Sequence, residues 1–278
     1  MINLLYCGNN KVFDGMLVSL LSIIKYTSSQ INVYVMTMDL REIDERNIPV
    51  SEDQIAFLEN VIKEKNTESS IKRIDVTELF LNDMKNSPNL TNSYTPYTLT
   101  RLYADQCKEL PDRILYLDTD TIARTDISSV FSYDISDYEF AGVIDYLGKV
   151  FIRYNYMNAG VLFLNLDKIR ERETFAKAIH MCKNKKMWFP DQTALNRVVK
   201  KKMFLPTRYN EQRKLRNNTV IQHFCKSIRW FPFFHTVNVK PWQVNEMHTI
   251  HHLYAYDDIL KEYQKRISDW KKENKVES

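Results

Sequence analysis

The stretch Arg113-Ile114-Leu115-Tyr116-Leu117-Asp118-Thr119-Asp120 joins a short apolar run to two closely spaced carboxylates. The apolar run is typical of a buried strand, and successive side chains of an extended chain alternate between its two faces. Asp118 and Asp120 are therefore expected to face the same way, with Thr119 turned aside. Two carboxylates at a strand end supply half of an oxygen-rich site for a divalent cation. The same residue types also form turns and helix caps, so the triplet alone leaves both interpretations open.

Strands and helices alternate on both sides of this stretch. Apolar residues recur at helical spacing over residues 13–24, and Ser51 begins a capping box that opens another helix. Thr95 is expected to cap a further helix with Pro96 in its first position, and Asp191 to cap one more. Strands are predicted at residues 2–6, 31–37, 71–76, 139–144, 160–164, 203–205 and 220–224. This alternation predicts a parallel α/β sheet with helices on its faces.

The composition is that of a globular protein with one large domain or two small ones. The 278 residues are 44% hydrophobic and 27% charged, with a formal net charge of +4. The 4 cysteines lack paired or metal-type spacing, which favours a reducing, cytoplasmic compartment. Neither a signal-like leader nor a membrane-spanning apolar run is recognised. The 5 glycines form no dinucleotide-binding or phosphate-loop motif, so a bound diphosphate would need a metal and basic side chains.

The predicted sheet also indicates where a ligand binds. Open α/β sheets bind ligands at the carboxyl ends of their strands. Asn9, Asp118 and His223 lie at such ends in the predicted order. We therefore expect these three residues to converge. Without Asp118 and Asp120, His223 would be more typical of a hydrogen-bonded core histidine, and their presence favours a ligand instead.

Five features follow one another along the chain. They are residues 97–101, the stretch 114–120, Met157-Asn158-Ala159-Gly160-Val161, Asp191-Gln192-Thr193-Ala194-Leu195-Asn196, and His223. In this order they resemble the retaining glycosyltransferases of family 8, which include bacterial lipopolysaccharide galactosyltransferases and glucosyltransferases and the glycogenins. The resemblance implies a GT-A-type fold: a three-layer, Rossmann-like nucleotide-binding α/β sheet with a C-terminal helical and aromatic extension. We expect the transferase domain at residues 1–245 and the basic, helical extension at 246–278.

The resemblance further implies an activity and its residues. The activity is transfer of glucose or galactose from a UDP-sugar to a hydroxyl, with retention of anomeric configuration. Asp118, Asp120 and His223 match metal ligands, and a mixed oxygen and imidazole shell suits Mn²⁺ better than Mg²⁺. The residues that match the hexose pocket are Arg101, Asn158, Asp191 and Gln192. Those that match nucleotide contacts are Cys7, Gly8, Asn10, Asp118 and Thr119, with Lys226 or Lys240 at the diphosphate.

Two routes to retention are open at this stage. Asp191 or Gln192 could act as a nucleophile on the face away from UDP, or UDP could leave and the acceptor enter on the same face. We favour the same-face route, in which a β-phosphate oxygen takes the acceptor proton. Asp191 would then orient the sugar and stabilise positive charge on its ring.

Each of these assignments has a purely structural alternative, and the whole chain has two alternative functions. Asp191 is also an ordinary helix cap, Asn158 an ordinary turn residue and Arg101 an ordinary solvated helix residue. A sugar-phosphate nucleotidyltransferase would use similar aspartates, but with a glycine-rich loop after the first strand. Scattered basic and aromatic residues would be the basis for a nucleic-acid binder. We expect a UDP-sugar donor, no nucleic acid, and a glycan, lipid-linked or protein acceptor.

Two segments are candidates for membrane contact. Residues 228–235 are rich in aromatic side chains, which could form core, a sugar-stacking acceptor wall or a membrane-surface contact. Residues 261–275 are basic and could form a solvated helix or a cationic helix on anionic lipid. The expected location is the cytoplasm, including the inner face of the membrane.

Overall fold

The fold is seen in a computed structural model that describes residues 1–90, 95–229 and 235–274. Its strands are β1 (Ile2–Cys7), β2 (Ile31–Thr37), β3 (Ser70–Asp75), β4 (Arg113–Leu117), β5 (Thr121–Ala123), β6 (Phe140–Ile144), β7 (Met157–Asn165), β8 (Lys202–Phe204), β9 (Ile221–His223), β10 (Ser227–Arg229) and β11 (His235–Val237). Its helices are α1 (Phe13–Tyr26), α2 (Glu52–Lys63), α3 (Thr77–Met84), α4 (Gly148–Phe151), α5 (Leu166–Glu171), α6 (Thr174–Asn184), α7 (Pro190–Val198), α8 (Val244–Thr249) and α9 (Asp257–Glu273). Short 3₁₀ segments span Asn10–Val12, Pro96–Gln106, Ile127–Ser132 and Thr207–Tyr209.

The central sheet has seven strands in the order β3-β2-β1-β4-β7-β6-β8. The prediction of a parallel sheet is correct for β1 to β4 but wrong for β7, which runs antiparallel to both β4 and β6. The connection from β6 to β7 contains only the four-residue helix α4 and turns back at the same edge, as an antiparallel pair allows. The carboxyl ends of β4 and β6 and the start of β7 therefore share one edge.

Helices and loops cover both faces of this sheet, so the predicted three layers are present. Leu4 belongs to a core cluster on one face and Leu5 to a cluster on the other, as alternation along β1 requires. The predicted strand at 220–224 is also found, as β9, but it pairs with β5 in a separate two-stranded sheet.

Helix α9 packs against α1 through its apolar face. Ile259, Leu260 and Tyr263 are buried, and the ring of Trp270 lies 4.7 Å from that of Phe13 between centroids. Most of the basic segment thus forms a helix that spans 257–273, and its apolar residues pack against α1. Within the described ranges, none of the helices has both the length and the hydrophobicity needed to cross a bilayer.

Two predicted helix caps are wrong in detail. Pro96 does begin its segment, but the segment is 3₁₀ and the Thr95 side chain makes no capping hydrogen bond. This segment runs through the core, so Arg101 is buried rather than solvated. In α7 the residue before the helix is Phe189, because Pro190 occupies the first position and moves Asp191 into the first turn.

Part of the aromatic and basic segments lies outside the described residues. This applies to 230–234 in the aromatic stretch and to 275–278 at the end of the chain. On either side of residues 230–234, β10 and β11 pair antiparallel.

Candidate metal site and its surroundings

Asp118, Asp120 and His223 meet at the shared edge of the sheet. Asp118 directly follows β4, and β5 continues from the triplet to pair with β9. Thr121 lies opposite His223 in that pairing, which returns the imidazole to the triplet. One ligand atom of each residue lies within 4.8 Å of the other two. His223 Nε2 is 3.5 Å from Asp118 Oδ2 and 3.2 Å from Asp120 Oδ1.

Gly160 on β7 makes room for this cluster. A Cβ atom at this position would lie 2.1 Å from His223 Cε1 and 2.8 Å from Asp118 Oδ2. The Gly160 carbonyl also accepts a hydrogen bond from the Asp118 backbone N–H at 2.7 Å. Glycine is needed here for close approach, since its φ angle is not positive.

The cluster fits a divalent cation on two observations. Asp120 Oδ1 is buried and makes no hydrogen bond within the described part of the chain, although it lies 3.2 Å from the imidazole. Such an atom is costly unless something satisfies it. The donor set is two carboxylates and one imidazole, which suits Mn²⁺ or a similar first-row metal.

Without a cation, the charges of the cluster compensate one another. Burial lowers the pKa of His223, but Asp120 and Asp118 outweigh burial and raise it to about 9. Burial raises the pKa of Asp118, yet Arg101 and His223 hold it well below its usual range. Lys240 and His223 similarly depress the pKa of Asp120 against the effect of burial. Both carboxylates are therefore ionised and His223 protonated at neutral pH.

Arg101 links the cluster of Asp118, Asp120 and His223 to the first turn of α7. Its guanidinium is 3.0 Å from Asp118 Oδ1 and 3.5 Å from Asp191 Oδ2, and it donates to the Ala159 carbonyl. It also lies 4.0 Å from the centroid of the Tyr116 ring. Burial raises the pKa of Asp191, while Arg101 opposes this shift.

A chain of amide side chains continues from His223. Nδ1 of His223 is 3.2 Å from Asn210 Oδ1, and Asn210 Nδ2 donates to Asn158 Oδ1 at 2.9 Å. Asn158 Nδ2 donates to Asp145 Oδ2 at 2.9 Å, and Gln192 Nε2 donates to the same oxygen at 3.3 Å. With Asn210 accepting from Nδ1–H, Nε2 is the ring nitrogen directed at a metal.

Asp145 and Asn210 are absent from the residues expected from sequence. Asp145 directly follows β6, and the rule that drew attention to Asp118 after β4 applies to it equally. Asn210 follows the 3₁₀ segment Thr207–Tyr209, and its local sequence contains no comparable signal.

The residues expected at the nucleotide lie along the start of the chain and the triplet. Cys7 is buried at the end of β1, close enough for the charge of Arg101 to act on its thiol. A Cβ at Gly8 would lie 2.5 Å from the Val12 side chain. Asn10 Oδ1 is buried and makes no hydrogen bond in the described part of the chain. Thr119 is partly exposed.

Asn9, the third residue expected at this edge, follows β1. Its side-chain oxygen accepts from the Lys11 backbone N–H and caps the segment Asn10–Val12. Asp118 and His223 meet as expected, and the convergence of Asn9 with them stays a prediction.

The two candidate lysines occupy different environments. Lys240 is partly buried, and its ammonium donates to Asp120 Oδ2 and to the Phe224 carbonyl. Lys226 is exposed. Trp242 reaches the same region, since a Cβ at Gly15 of α1 would lie 2.7 Å from both the Trp242 ring and the Thr119 carbonyl oxygen. The structure thus brings Lys240 to the triplet despite its distance along the chain from His223.

The chain is similar in sequence to curated glycosyltransferases. A Haemophilus influenzae protein named as a glycosyltransferase is 26% identical over 223 residues, which cover 75% of this chain and 63% of that protein. The lipopolysaccharide 1,2-glucosyltransferase of Escherichia coli is 32% identical over 124 residues, which cover 40% of this chain and 37% of that protein. The chain therefore spans less than two thirds of the length of these relatives.

Solved structures and a family sequence model complete the comparison. A crystal structure of the galactosyltransferase LgtC with donor and acceptor sugar analogues has a TM-score of 0.67 at 18% identity, covering 95% of this chain and 96% of that one. The bifunctional glycosyltransferase WbbM has a TM-score of 0.69 at 17% identity, covering 96% of this chain and 51% of that one. These likenesses establish the GT-A-type fold. The model of glycosyl transferase family 8 matches residues 3–246, so the chain belongs to that family.

Proposed function

We propose that this protein transfers a hexose, glucose or galactose, from a UDP-sugar to a hydroxyl acceptor with retention of configuration. The observation that carries the proposal is the cluster of Asp118, Asp120 and His223, with one buried carboxylate oxygen that lacks a hydrogen bond in the described residues. The likeness to a glucosyltransferase of Escherichia coli and to the galactosyltransferase LgtC supports a hexose donor of either kind. Family membership favours this activity over nucleotidyl transfer to sugar phosphates and over nucleic-acid binding.

Asp118, Asp120 and His223 would hold the divalent metal, for which Mn²⁺ fits the mixed donor set better than Mg²⁺. When bound, such an ion supplies positive charge that stabilises the departing diphosphate. Lys240 is a second cation at this point, and its contact with Asp120 supports a role in binding a diphosphate oxygen. We favour Lys240 over the exposed Lys226 for this role.

The hexose would lie over the start of β7 and the first turn of α7. Arg101 is held between Asp118 and Asp191, so it would fix the position of both carboxylates beside the hexose. Asn158 and Gln192 both donate to Asp145, so the three side chains form one preorganised polar wall. Such a wall gives defined hydrogen-bond geometry to sugar hydroxyls.

The same arrangement supports the same-face route. Gln192 Oε1 accepts from the Ala159 backbone N–H at 2.9 Å, which makes it a poor nucleophile. Asp191 is buried and paired with Arg101, so it is suited to orient the sugar and to balance positive charge on the ring. The acceptor proton would then pass to the β-phosphate oxygen of the leaving UDP.

The nucleoside would lie beyond the end of β1, near Cys7, Gly8 and Thr119. Asn10 supplies the best candidate for contact with uracil, because its buried side-chain oxygen accepts no hydrogen bond from the described residues. A uracil N–H could donate to that oxygen.

The proposal extends to the domain limits, the acceptor and the compartment of the protein. We place the transferase domain at 1–245 and the extension at 246–278, with a glycan, lipid-linked or protein acceptor. All four cysteines are free thiols, which supports a cytoplasmic setting.

The test is release of UDP from a panel of UDP-sugars, with and without Mn²⁺. We expect release to need metal and to fall about 100-fold in Asp120→Asn, which keeps the shape but removes an anionic ligand. Asp137→Asn is the matched control, since this exposed aspartate lies outside the site. Metal-independent release, or equal release by the two variants, would refute the metal role, and no release from any UDP-sugar would refute the activity.

A further inference from the structure

The loop between β6 and β7 exposes several apolar side chains in succession. Val150, Phe151, Ile152 and Tyr154 are each more than half exposed, with Tyr154 at 78%. Single exposed apolar residues are ordinary, but a contiguous group in one loop marks a surface that is covered by something else.

This loop has a fixed base. Asp145 Oδ1 accepts from the backbone N–H of Leu147 at 3.0 Å and of Gly148 at 2.6 Å. At the other end the Tyr156 hydroxyl is 2.9 Å from Thr193 Oγ1 of α7. Gly148 packs on the Tyr156 ring so closely that a Cβ would lie 2.3 Å from Cδ1. The apolar side chains are therefore held outward by a bonded frame.

Basic residues surround the loop without acidic ones. Residues 147–156, 183–188 and 197–204 contain nine Lys or Arg and no Asp or Glu. The third segment adjoins the loop, since Lys202 Nζ donates to Asn196 Oδ1 at 2.7 Å and Asn196 Nδ2 donates to the Met157 carbonyl at 2.8 Å. The second leads from the end of α6 to α7, the helix whose Thr193 contacts Tyr156 of the loop. The charge of Arg153 also adds to burial in lowering the pKa of Lys202 to about 8. Trp188, just before α7, is 88% exposed.

We propose that Val150, Phe151, Ile152, Tyr154 and Trp188, with the lysines and arginines around them, form a docking surface for a bilayer with anionic headgroups. Apolar side chains enter the interface while neighbouring cations contact the headgroups. A sugar-stacking wall would instead use flat aromatic faces with polar neighbours, and Val150 and Ile152 offer neither. Charge of one sign likewise favours an anionic surface over a second copy of the same basic face.

This surface replaces the C-terminal helix as the main membrane contact. The apolar face of α9 is already packed against α1, which leaves only its charges for a bilayer. The loop between β6 and β7, by contrast, starts from Asp145 at the edge of the sheet that carries Asp118, Asp120 and His223. If the proposed function holds, docking would bring that edge next to a membrane-borne acceptor.

The test is cosedimentation with vesicles, without donor or metal, so its result does not depend on transferase activity. Wild-type protein is expected to bind vesicles of equal parts phosphatidylcholine and phosphatidylglycerol, and to bind pure phosphatidylcholine at least tenfold more weakly. The combined change Val150→Ser, Phe151→Ser and Ile152→Ser should weaken binding to the anionic vesicles by at least tenfold, and Lys149→Ala with Arg153→Ala should reduce its salt dependence. Controls are Ile43→Ser with Ile48→Ser, an exposed apolar pair elsewhere, and Lys265→Ala with Lys271→Ala and Lys272→Ala on α9.

Tryptophan fluorescence gives a second test that does not depend on whether the triple variant folds. Vesicles should shift the tryptophan fluorescence of the wild-type protein to the blue, and Trp188→Phe should remove most of that shift. Binding unaffected by the loop changes, or lost equally in the α9 variant, would overturn the proposal. A wild-type dimer that the loop variant makes monomeric in sedimentation velocity would also overturn it, because the surface would then join two copies.

Discussion

Replacing Gly160 with alanine places a methyl group inside the cluster of Asp118, Asp120 and His223, which we propose as the metal site. The new Cβ would lie 2.1 Å from Cε1 and 2.7 Å from Nδ1 of His223, and 2.8 Å from Asp118 Oδ2. Carbon atoms in contact are about 3.5–4.0 Å apart, so the ring or the strand must move by more than about 1 Å. His223 is buried and bonded to Asn210, so either movement alters the ligand geometry. We expect a stability loss of about 1–3 kcal/mol and Mn²⁺ binding weakened about 10–100-fold.

Gly142→Ala on β6 is the matched control. Its Cβ would lie 2.8 Å from Met157 Sδ and 2.9 Å from Leu162 Cδ2, which are the ends of flexible side chains. This change should cost stability of similar size while leaving metal affinity unchanged. Calorimetric titration with Mn²⁺ in the presence of UDP measures the affinity, and urea unfolding without metal measures the stability.

A folded Gly160→Ala protein with Mn²⁺ affinity within about twofold of wild type would refute this reasoning. It would mean that His223 and Asp118 do not pack against β7 in the metal-binding state. Equal losses of metal affinity in the two alanine variants would refute it as well, since Gly142 makes no contact with a ligand residue in the geometry above.

Three further changes test neighbouring parts of the site. In the metal-free protein the raised pKa of His223 stabilises the fold fully below pH 6.5, the pKa of the unfolded chain, and this stabilisation is lost as the pH rises through about 9. The loss is at most about 3 kcal/mol. Urea unfolding across this range should show that the free energy of unfolding depends less on pH in His223→Asn than in the wild type. Asn210→Ala removes the partner of His223 Nδ1 and should weaken Mn²⁺ binding about tenfold. Asn210→Asp keeps an acceptor for Nδ1–H and should restore most of the Mn²⁺ affinity. Equal Mn²⁺ affinities of the two variants would contradict the proposal that Asn210 orients His223. Arg101→Lys cannot reproduce the contacts to Asp118, Asp191 and Ala159, so it should lower the rate of UDP release about 10–100-fold. Arg113→Lys, at an exposed position, is the control and should not change that rate. Similar rates for the two variants would exclude Arg101 from the site.

The sequence predicted the parts of the site that depend on local pattern. The apolar run 113–117 did form a strand, and the carboxylates after it lie at the expected edge. Strand direction is not encoded in hydrophobic periodicity, which is why the antiparallel course of β7 was missed. Strand β6 runs parallel to β4, as a parallel sheet requires, so Asp145 was within reach of the rule that drew attention to Asp118.

Features that depend on long-range contact were harder to predict. Whether Arg101 faces solvent or core depends on the depth at which its 3₁₀ segment passes beneath the sheet. The choice between Lys226 and Lys240 depends on how the chain returns after His223, which spacing alone does not determine. Asn210 acts only through two distant side chains.

The most direct measurement is an anomalous difference map at the manganese absorption edge, from crystals grown with Mn²⁺ and UDP. We expect one peak bonded to a carboxylate oxygen of Asp118, a carboxylate oxygen of Asp120 and Nε2 of His223, with Lys240 turned to the diphosphate. A peak at another position, or no peak while Lys240 still contacts Asp120, would contradict the assignment of this cluster as the metal site.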